Sequence, residues 1–289
     1  MLSDPPILTV GLPVYNGMPY ISAALDALVK QTRSDFLVII SDNASTDGTS
    51  EVLRAYADRD SRLTVVTQKK NLGALGNFQF VLQSAKTPYF MWTAADDILS
   101  RDWIEKLLPI AQSGDCLAFG AVDIIDAAGR TIPNQSSHRN YAFSGTRLWR
   151  RIRFFLEPAA MGKANPIYGI FRKDLFTDAI WAEFSKFRNA SDAISLYAFL
   201  GDARIAQDPS AVLFKRSVAT STANDPDFVP KKRRYQVRLF KRTQLPEYLK
   251  LSDPVEKLAI IVFYPIAVLG IYWAKIIRAR RVLGSRVKK

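Results

Sequence analysis

Four short apolar runs, at 7–12, 36–40, 63–66 and 89–93, alternate with three segments whose apolar residues recur at helical spacing, at 20–31, 49–58 and 75–84. Ile21, Ala24, Leu25 and Leu28 mark the first segment; Val52, Leu53 and Tyr56 mark the second. Strands that alternate with helices of about ten to fifteen residues build βαβ units, so the spacing predicts an α/β chain with a mostly parallel sheet flanked by helices. The ends of the runs carry the chemistry. The second closes on Ser41, Asp42, Asn43, Ala44, Ser45, Thr46, Asp47 and Gly48, and the fourth on Ala95, Asp96 and Asp97. Ligands of an open α/β sheet bind beyond the carboxyl ends of its strands. Adjacent carboxylates alone repel a phosphate, but Mg²⁺ or Mn²⁺ between them inverts the sign, so two such strand ends predict a divalent cation and a nucleotide-diphosphate ligand.

Further along, 117–125 reads as a strand, 126–130 as a turn, 147–156 as a basic amphipathic helix and 169–172 as a short strand. Residues 191–200 read as a helix ending on Gly201, a residue suited to a helix C-terminus. Cys116 is the single cysteine, which excludes an internal disulfide, and with His138 the single histidine there is no His-based zinc site and no Ser-His-Asp triad. The first residues show no basic stretch followed by an apolar run, so the catalytic part is expected in the cytoplasm.

The formal charge of +13 suggests a nucleic-acid binder until it is located. Residues 231–289 hold 16 of the 40 Lys and Arg residues and three of the 27 acids; residues 1–230 hold 24 of each. The whole excess lies in the tail, whose basic clusters have few interleaved aromatics, so no nucleic acid is expected as partner. The chain therefore divides into a catalytic unit at 1–230 and a basic, apolar helical extension at 231–289. Within the extension, 258–274 is free of charge and would span about 26 Å as a helix, just short of a hydrocarbon core of about 30 Å. Both flanks are basic, and a true span would place one of them outside, against the positive-inside tendency. The expectation is a helix pair or re-entrant hairpin bent at Pro265, peripheral or monotopic on the anionic cytoplasmic face of the inner or plasma membrane. A span and an ordinary core helix are the alternatives.

Four stretches, in order, resemble the family 2 glycosyltransferases of GT-A (Rossmann-like) fold: Pro13-Val14-Tyr15-Asn16; 31–36 leading to Asp42-Asn43-Ala44-Ser45-Thr46-Asp47; Asn71-Leu72-Gly73 with Asn77; and Ala95-Asp96-Asp97. The likeness covers about 1–205. It implies that Tyr15 stacks on the donor base, with Pro13, Asn16, Asn71, Gly73 and Asn77 on the donor side and Asp42 and Asn43 at the polar edge of the base. Relatives often carry two aspartates there; Asn43 leaves the base less determined, with a UDP-sugar first in line. Asp96 would touch the ribose side and Asp97 hold the metal, with Ala95 standing where the stricter motif has its first Asp. Asp192, at the start of an apolar helix, matches the general base, and Asn165 and Tyr168 match the acceptor side. The implied reaction is a metal-dependent, inverting, hexosyltransferase-like displacement. A sugar moves from the nucleotide-diphosphate donor to a hydroxyl of a saccharide or lipid-linked saccharide, in synthesis of an O-antigen, exopolysaccharide or capsule.

Plainer readings compete. Asp42, Ser45 and Asp47 suit turns and helix caps, Asp192 suits an N-cap, and Tyr15 alone suits a core. A sugar nucleotidyltransferase uses related carboxylate–metal logic but usually opens with a basic Gly-rich loop, and 11–16 carries neither Arg nor Lys. A non-catalytic, membrane-docked nucleotide-sugar-binding module has no need of Asp96, Asp97 and Asp192 together.

Overall fold

β1 (Leu8–Val14) lies between two parallel neighbours, β2 (Phe36–Asp42) and β4 (Tyr89–Trp92), and β3 (Leu63–Thr67) extends the sheet beyond β2. This arrangement comes from a computed structural model, which describes residues 5–186, 191–217, 237–238 and 240–286. Every residue of β1 is buried, as suits a strand covered on both faces. Helices α1 (Ile21–Val29), α2 (Thr49–Ala57) and α3 (Gly73–Ser84) join the four strands in sequence. Helix α3 packs on β1 at Gly11, where any Cβ would run into the Phe90 ring and the Val81 side chain.

The sheet continues with mixed polarity. β7 (Ile170–Arg172) runs antiparallel to β4 and to β6 (Cys116–Ile125), β8 (Arg204–Arg216) is parallel to β6, and β5 (Ile98–Leu99) closes the edge against β8. The order is β3-β2-β1-β4-β7-β6-β8-β5. Helices α4 (Trp103–Gln112), α5 (Arg147–Leu156), α6 (Asp178–Lys186) and α7 (Ser191–Phe199) complete this part. Neither β5 nor β8 is visible in the sequence pattern: β5 has two residues, and β8 is interrupted by Asp208, Pro209 and Ser210. There the pairing jumps from Phe119↔Gln207 to Ala121↔Val212, so 208–211 bulge out of the ladder and the proline costs no cross-strand bond. Trp92 anchors the core, edge-on to Phe90 at 4.9 Å and Phe176 at 5.2 Å. Such aromatic pairs contribute about 0.5–1.5 kcal/mol each beyond the area they bury.

After 237 the chain returns to the same core. α8 (Leu245–Lys250) and α9 (Pro254–Arg286) bring Tyr248, Ile260, Ala267 and Ile271 into the buried cluster, beside Phe240. The hairpin expected at Pro265 does not form, because α9 is one helix through that residue. Pro265 lies on the exposed side, where the carbonyl freed by its missing N–H is not enclosed. The inner side packs on α5, a contact that a bend would break.

The start of α9 is tied down twice. Asp253 and Glu256 cap it reciprocally, Glu256 N donating to Asp253 Oδ1 at 2.9 Å and Asp253 N to Glu256 Oε2 at 3.0 Å. Glu256, buried, also accepts from Arg151 Nη1 at 2.7 Å and Arg147 Nε at 3.0 Å. The Arg151 guanidinium donates to the Leu251 carbonyl at 2.8 Å and lies 4.0 Å over the Tyr197 ring of α7. Glu256→Ala strands a buried guanidinium and should cost about 3–5 kcal/mol. Arg147→Ala removes only a rim partner, 47% exposed, and should cost under about 1 kcal/mol. Melting curves of the two variants check the contrast; equal losses would mean that burial of the pair carries no special weight.

Candidate functional site

The loops that follow β1, β2 and β3 are laced together by their own polar atoms. Asn16 takes the left-handed conformation at φ 50°, which asparagine tolerates better than most residues. Its N–H donates to Ser45 Oγ and its Oδ1 accepts from Thr46 N, both at 2.9 Å. Gly17 N reaches Thr49 Oγ1 at 2.8 Å and Met18 N reaches Asp47 Oδ2 at 3.0 Å. Asp47 also accepts from Thr49 N, so it does organise a turn; these bonds outweigh its burial and hold its carboxyl below the usual range. Tyr15, beside Asn16, is left 47% exposed. It is not core.

Asp42 and Asn43, implied at the edge of a base, are turned into the protein. Asp42 is fully buried, its Oδ1 accepting from Ser45 N at 3.0 Å and its Oδ2 from the Ser50 hydroxyl. Asn43 Oδ1 accepts from Leu72 N at 2.7 Å, and its Nδ2 donates to Asn71 Oδ1 at 2.8 Å. Asn71 Oδ1 accepts again from Gly73 N, at a φ of +74° that favours glycine. Asn77 is buried behind them, with Nδ2 bridging the carbonyls of Ser41 (3.0 Å) and Val14 (3.3 Å). Its Oδ1 finds no hydrogen-bond partner among the described residues. These residues bind the loops after β2 and β3 to each other and to the end of β1.

Asp96 and Asp97 leave β4 and meet the end of β8. Asp97, 3% exposed, accepts from Arg216 N at 2.8 Å. The Arg216 side chain donates Nε to the Asp96 carbonyl at 3.0 Å and Nη1 to the carbonyls of Asp126 (2.9 Å) and Ala127 (3.0 Å), and its guanidinium lies 4.5 Å over Tyr20. Burial pushes the Asp97 carboxyl up to about 6; Lys215 and Arg216 pull it back and the Asp96 charge adds to the rise. Asp96 is raised as well, again by burial first. Among the described residues no three His, Cys, Asp or Glu side chains gather to enclose a metal. Mg²⁺ and Mn²⁺ do not need that: such ions take one or two carboxylates and complete their shell with phosphate oxygens and water. Two adjacent, desolvated carboxylates with one Asp97 oxygen already steadied by a backbone amide fit such an ion.

Asp192, second residue of α7, accepts from Ala193 N at 2.8 Å. Tyr168 relates it to the aspartate pair. Burial pushes the Tyr168 hydroxyl far above its ordinary pKa, and the charges of Asp97, Asp192 and Asp96 push it further, so three carboxylates bear on one phenol. Lys215 Nζ sits 5.1 Å over the Tyr168 ring and donates to Asn165 Oδ1 at 3.0 Å; Asn165 Nδ2 donates to Tyr141 Oη at 3.2 Å. The 3₁₀ turn Asn165–Tyr168 thus lies within electrostatic reach of the carboxylates. Lys163, buried under it with Nζ on the Phe154 carbonyl at 3.1 Å, is lowered to about 7 by burial, against the pull of Glu157 and Asp192. Lys215 and Arg216 are the site residues that sequence reasoning missed. Their signal is the apolar run Val212, Leu213, Phe214 ending on a charged pair, as β4 does, but Pro209 hides the strand.

Among known proteins, the profile described as Glycosyl transferase family 2 matches residues 9–178. An uncharacterized glycosyltransferase of Haemophilus influenzae is 29% identical over 110 residues, covering 38% of this chain and 34% of that protein. Bacillus subtilis TuaG, named provisionally as a teichuronic acid biosynthesis glycosyltransferase, is 32% identical over 111 residues, 38% of this chain and 44% of its own. The matches therefore span less than half of these relatives. In structure the chain is similar to Staphylococcus aureus TarS 1–349 in complex with UDP-GlcNAc (TM-score 0.61, 20% identity, 90% of this chain, 72% of that one). It is also similar to the mannosyltransferase PcManGT of Pyrobaculum calidifontis in complex with GDP-Man and Mn²⁺ (TM-score 0.54, 20% identity, 99% and 77%). These likenesses establish the α/β GT-A fold.

Asp97 binds its proton up to about pH 6 in the fold, against 3.8 as an isolated group. Between those values the folded state holds more protons than the unfolded one, so stability falls as pH rises through the window. Asp97→Asn keeps an acceptor for Arg216 N and removes the buried charge. It should melt above the wild type at neutral pH by about 2–3 kcal/mol, at 1.36 kcal/mol per pK unit, and match it below pH ~3.8. A variant no more stable than wild type at neutral pH would contradict the strained carboxylate.

Proposed function

The chain belongs to glycosyl transferase family 2, and from that premise we propose that it is a metal-dependent, inverting glycosyltransferase of surface-polysaccharide synthesis. The sugar passes from a nucleotide-diphosphate donor, a UDP-sugar first in line, to a hydroxyl of a saccharide or lipid-linked saccharide. The observation that carries this reading is that the 3₁₀ turn of Tyr168 packs against both β4, which leads into Asp96 and Asp97, and α7, which holds Asp192, so that Tyr168, raised first by burial, also feels all three carboxylates. The nucleotide sugars and the Mn²⁺ bound in the similar structures support it.

In this reading the donor base lies on the Tyr15 ring, against the wall made by Pro13, Asn16, Asp42, Asn43, Asn71, Gly73 and Asn77. Asp96 faces the ribose side, and Asp97 would hold Mg²⁺ or Mn²⁺, whose charge would offset that of the departing diphosphate. Asp192 takes the proton from the acceptor hydroxyl as it attacks the anomeric carbon, and displacement in one step inverts the configuration there. Tyr168 stays a neutral phenol, able to donate a hydrogen bond to a sugar without adding charge. Asn165, steadied by Lys215 and Tyr141, flanks it on the acceptor side. The unit 1–230 performs the chemistry, and the extension 231–289 holds it at the cytoplasmic face of the membrane.

Asp192→Asn is nearly isosteric and still accepts from Ala193 N. Transfer should fall roughly 10²–10⁴-fold while donor binding, measured by titration, stays within a small factor. A rate near wild type would assign the proton to another group. Mn²⁺ binding needs the Asp97 carboxylate ionised, so its affinity should weaken toward about tenfold per pH unit below about 6. Calorimetry from about pH 5 to 8 checks this; a flat profile would remove Asp97 as principal ligand.

A further inference from the structure

Helix α9 is apolar on two opposite sides. Its inner side, with Ile260, Ala267, Ile271 and Ala274, is buried against the fold. Its outer side presents Leu258, Ile261, Val262, Ile266, Leu269 and Trp273, each more than half exposed. Their spacing follows the helical repeat over about 22 Å, and no charged residue falls between Lys257 and Lys275. Soluble surfaces rarely leave so long an apolar strip uncovered.

Charge identifies what covers it. The segment that contains the strip carries the whole +13 of the chain. Two of its three acids, Asp253 and Glu256, are taken up by Arg147 and Arg151, and the buried member, Glu256, is withdrawn from the surface. An apolar strip set in basic sequence is complementary to an anionic bilayer. Pro254–Ala274 is long enough to cross a membrane. A crossing helix, however, would need lipid around it, and this one is packed along its inner side and anchored at its start by the Arg151–Glu256 pair.

We propose that the outer face of α9 is a one-sided seat for an anionic lipid bilayer. The helix lies in the plane of the interface with its outer side chains among the acyl chains, and does not span. This deepens the membrane location given above and does not depend on the transfer chemistry.

The test uses the full chain and two vesicle types, phosphatidylcholine alone and phosphatidylcholine with phosphatidylglycerol. The wild type should float with the anionic vesicles and much less with the neutral ones. The double variant Ile266→Glu, Leu269→Glu faces outward only, so its melting temperature and metal-dependent donor hydrolysis should be unchanged while flotation drops at least tenfold. Single cysteines, Leu258→Cys and Trp273→Cys, each carrying a fluorophore, should be quenched equally by shallow brominated lipids. A wild type that does not float, or a double variant that floats as well, overturns the seat. Unequal depths for 258 and 273 overturn it in favour of a span, and a dimer abolished by the double variant without any flotation overturns it in favour of a subunit contact. Loss of donor hydrolysis alone would strike the catalytic reading and leave flotation untouched.

Discussion

Parallel pairing of β1 with β2 and β4 decides where each polar group of the cleft emerges. Strands that run the same way end at one edge, and the pairs Val14↔Asp42 and Gly11↔Trp92 set the level at which their loops depart. Asn43 N then closes onto the Val14 carbonyl at 2.9 Å, and Asn77 spans the two strand ends from behind. Even Pro13 is accommodated by the register. Thr93 N bonds to the Gly11 carbonyl, so the odd residues of β1 face β4, and Pro13 lies beyond the last paired residue of that strand. Its missing N–H costs nothing there.

The Asp96–Asp97 turn carries a local cost, two carboxyls raised first by burial. Folding alone has no need of a carboxylate held out of water, and perturbed acids of this kind gather where charge is to be handled. Its neighbours limit the cost without removing it. Arg216 gives its amide to Asp97 and its guanidinium to three carbonyls from two separate turns, so one side chain ties the end of β4 to the turn after β6. Lys215 on the same strand reaches the 3₁₀ turn of Asn165. β8 therefore serves both sides of the cleft.

The first four strands and three helices are legible because each keeps one period over its whole length. So is the acidic turn, since Asp96 and Asp97 are adjacent in the chain. What stayed hidden depends on distant contacts. β8 is a strand only because β6 offers it a ladder on either side of the bulge, and β5 exists only against β8. Pro265 reads locally as a bend, yet packing of the inner side of α9 overrides it. Asp42 and Asn43 are the right residue types for meeting a ligand, but residue type does not say which atoms have already been claimed by Ser45, Ser50 and Leu72. The composition break near 230 likewise marks where charge changes, while Tyr248 and Ile260 bury themselves in the core of the preceding residues.

Gly120 lies far along the chain from the acidic turn, yet the register of β8 depends on it. The Ala211 carbonyl and the Trp103 ring occupy the space where its Cβ would stand, and they do so at the jump in pairing that carries β8 on toward Lys215 and Arg216. A methyl group at 120 would have to displace backbone. A homologue with alanine there would keep every acidic and aromatic motif of this chain intact while its two cations arrived in the wrong place. Comparison by motif would not register the change, which lies in a hydrogen-sized gap between two strands.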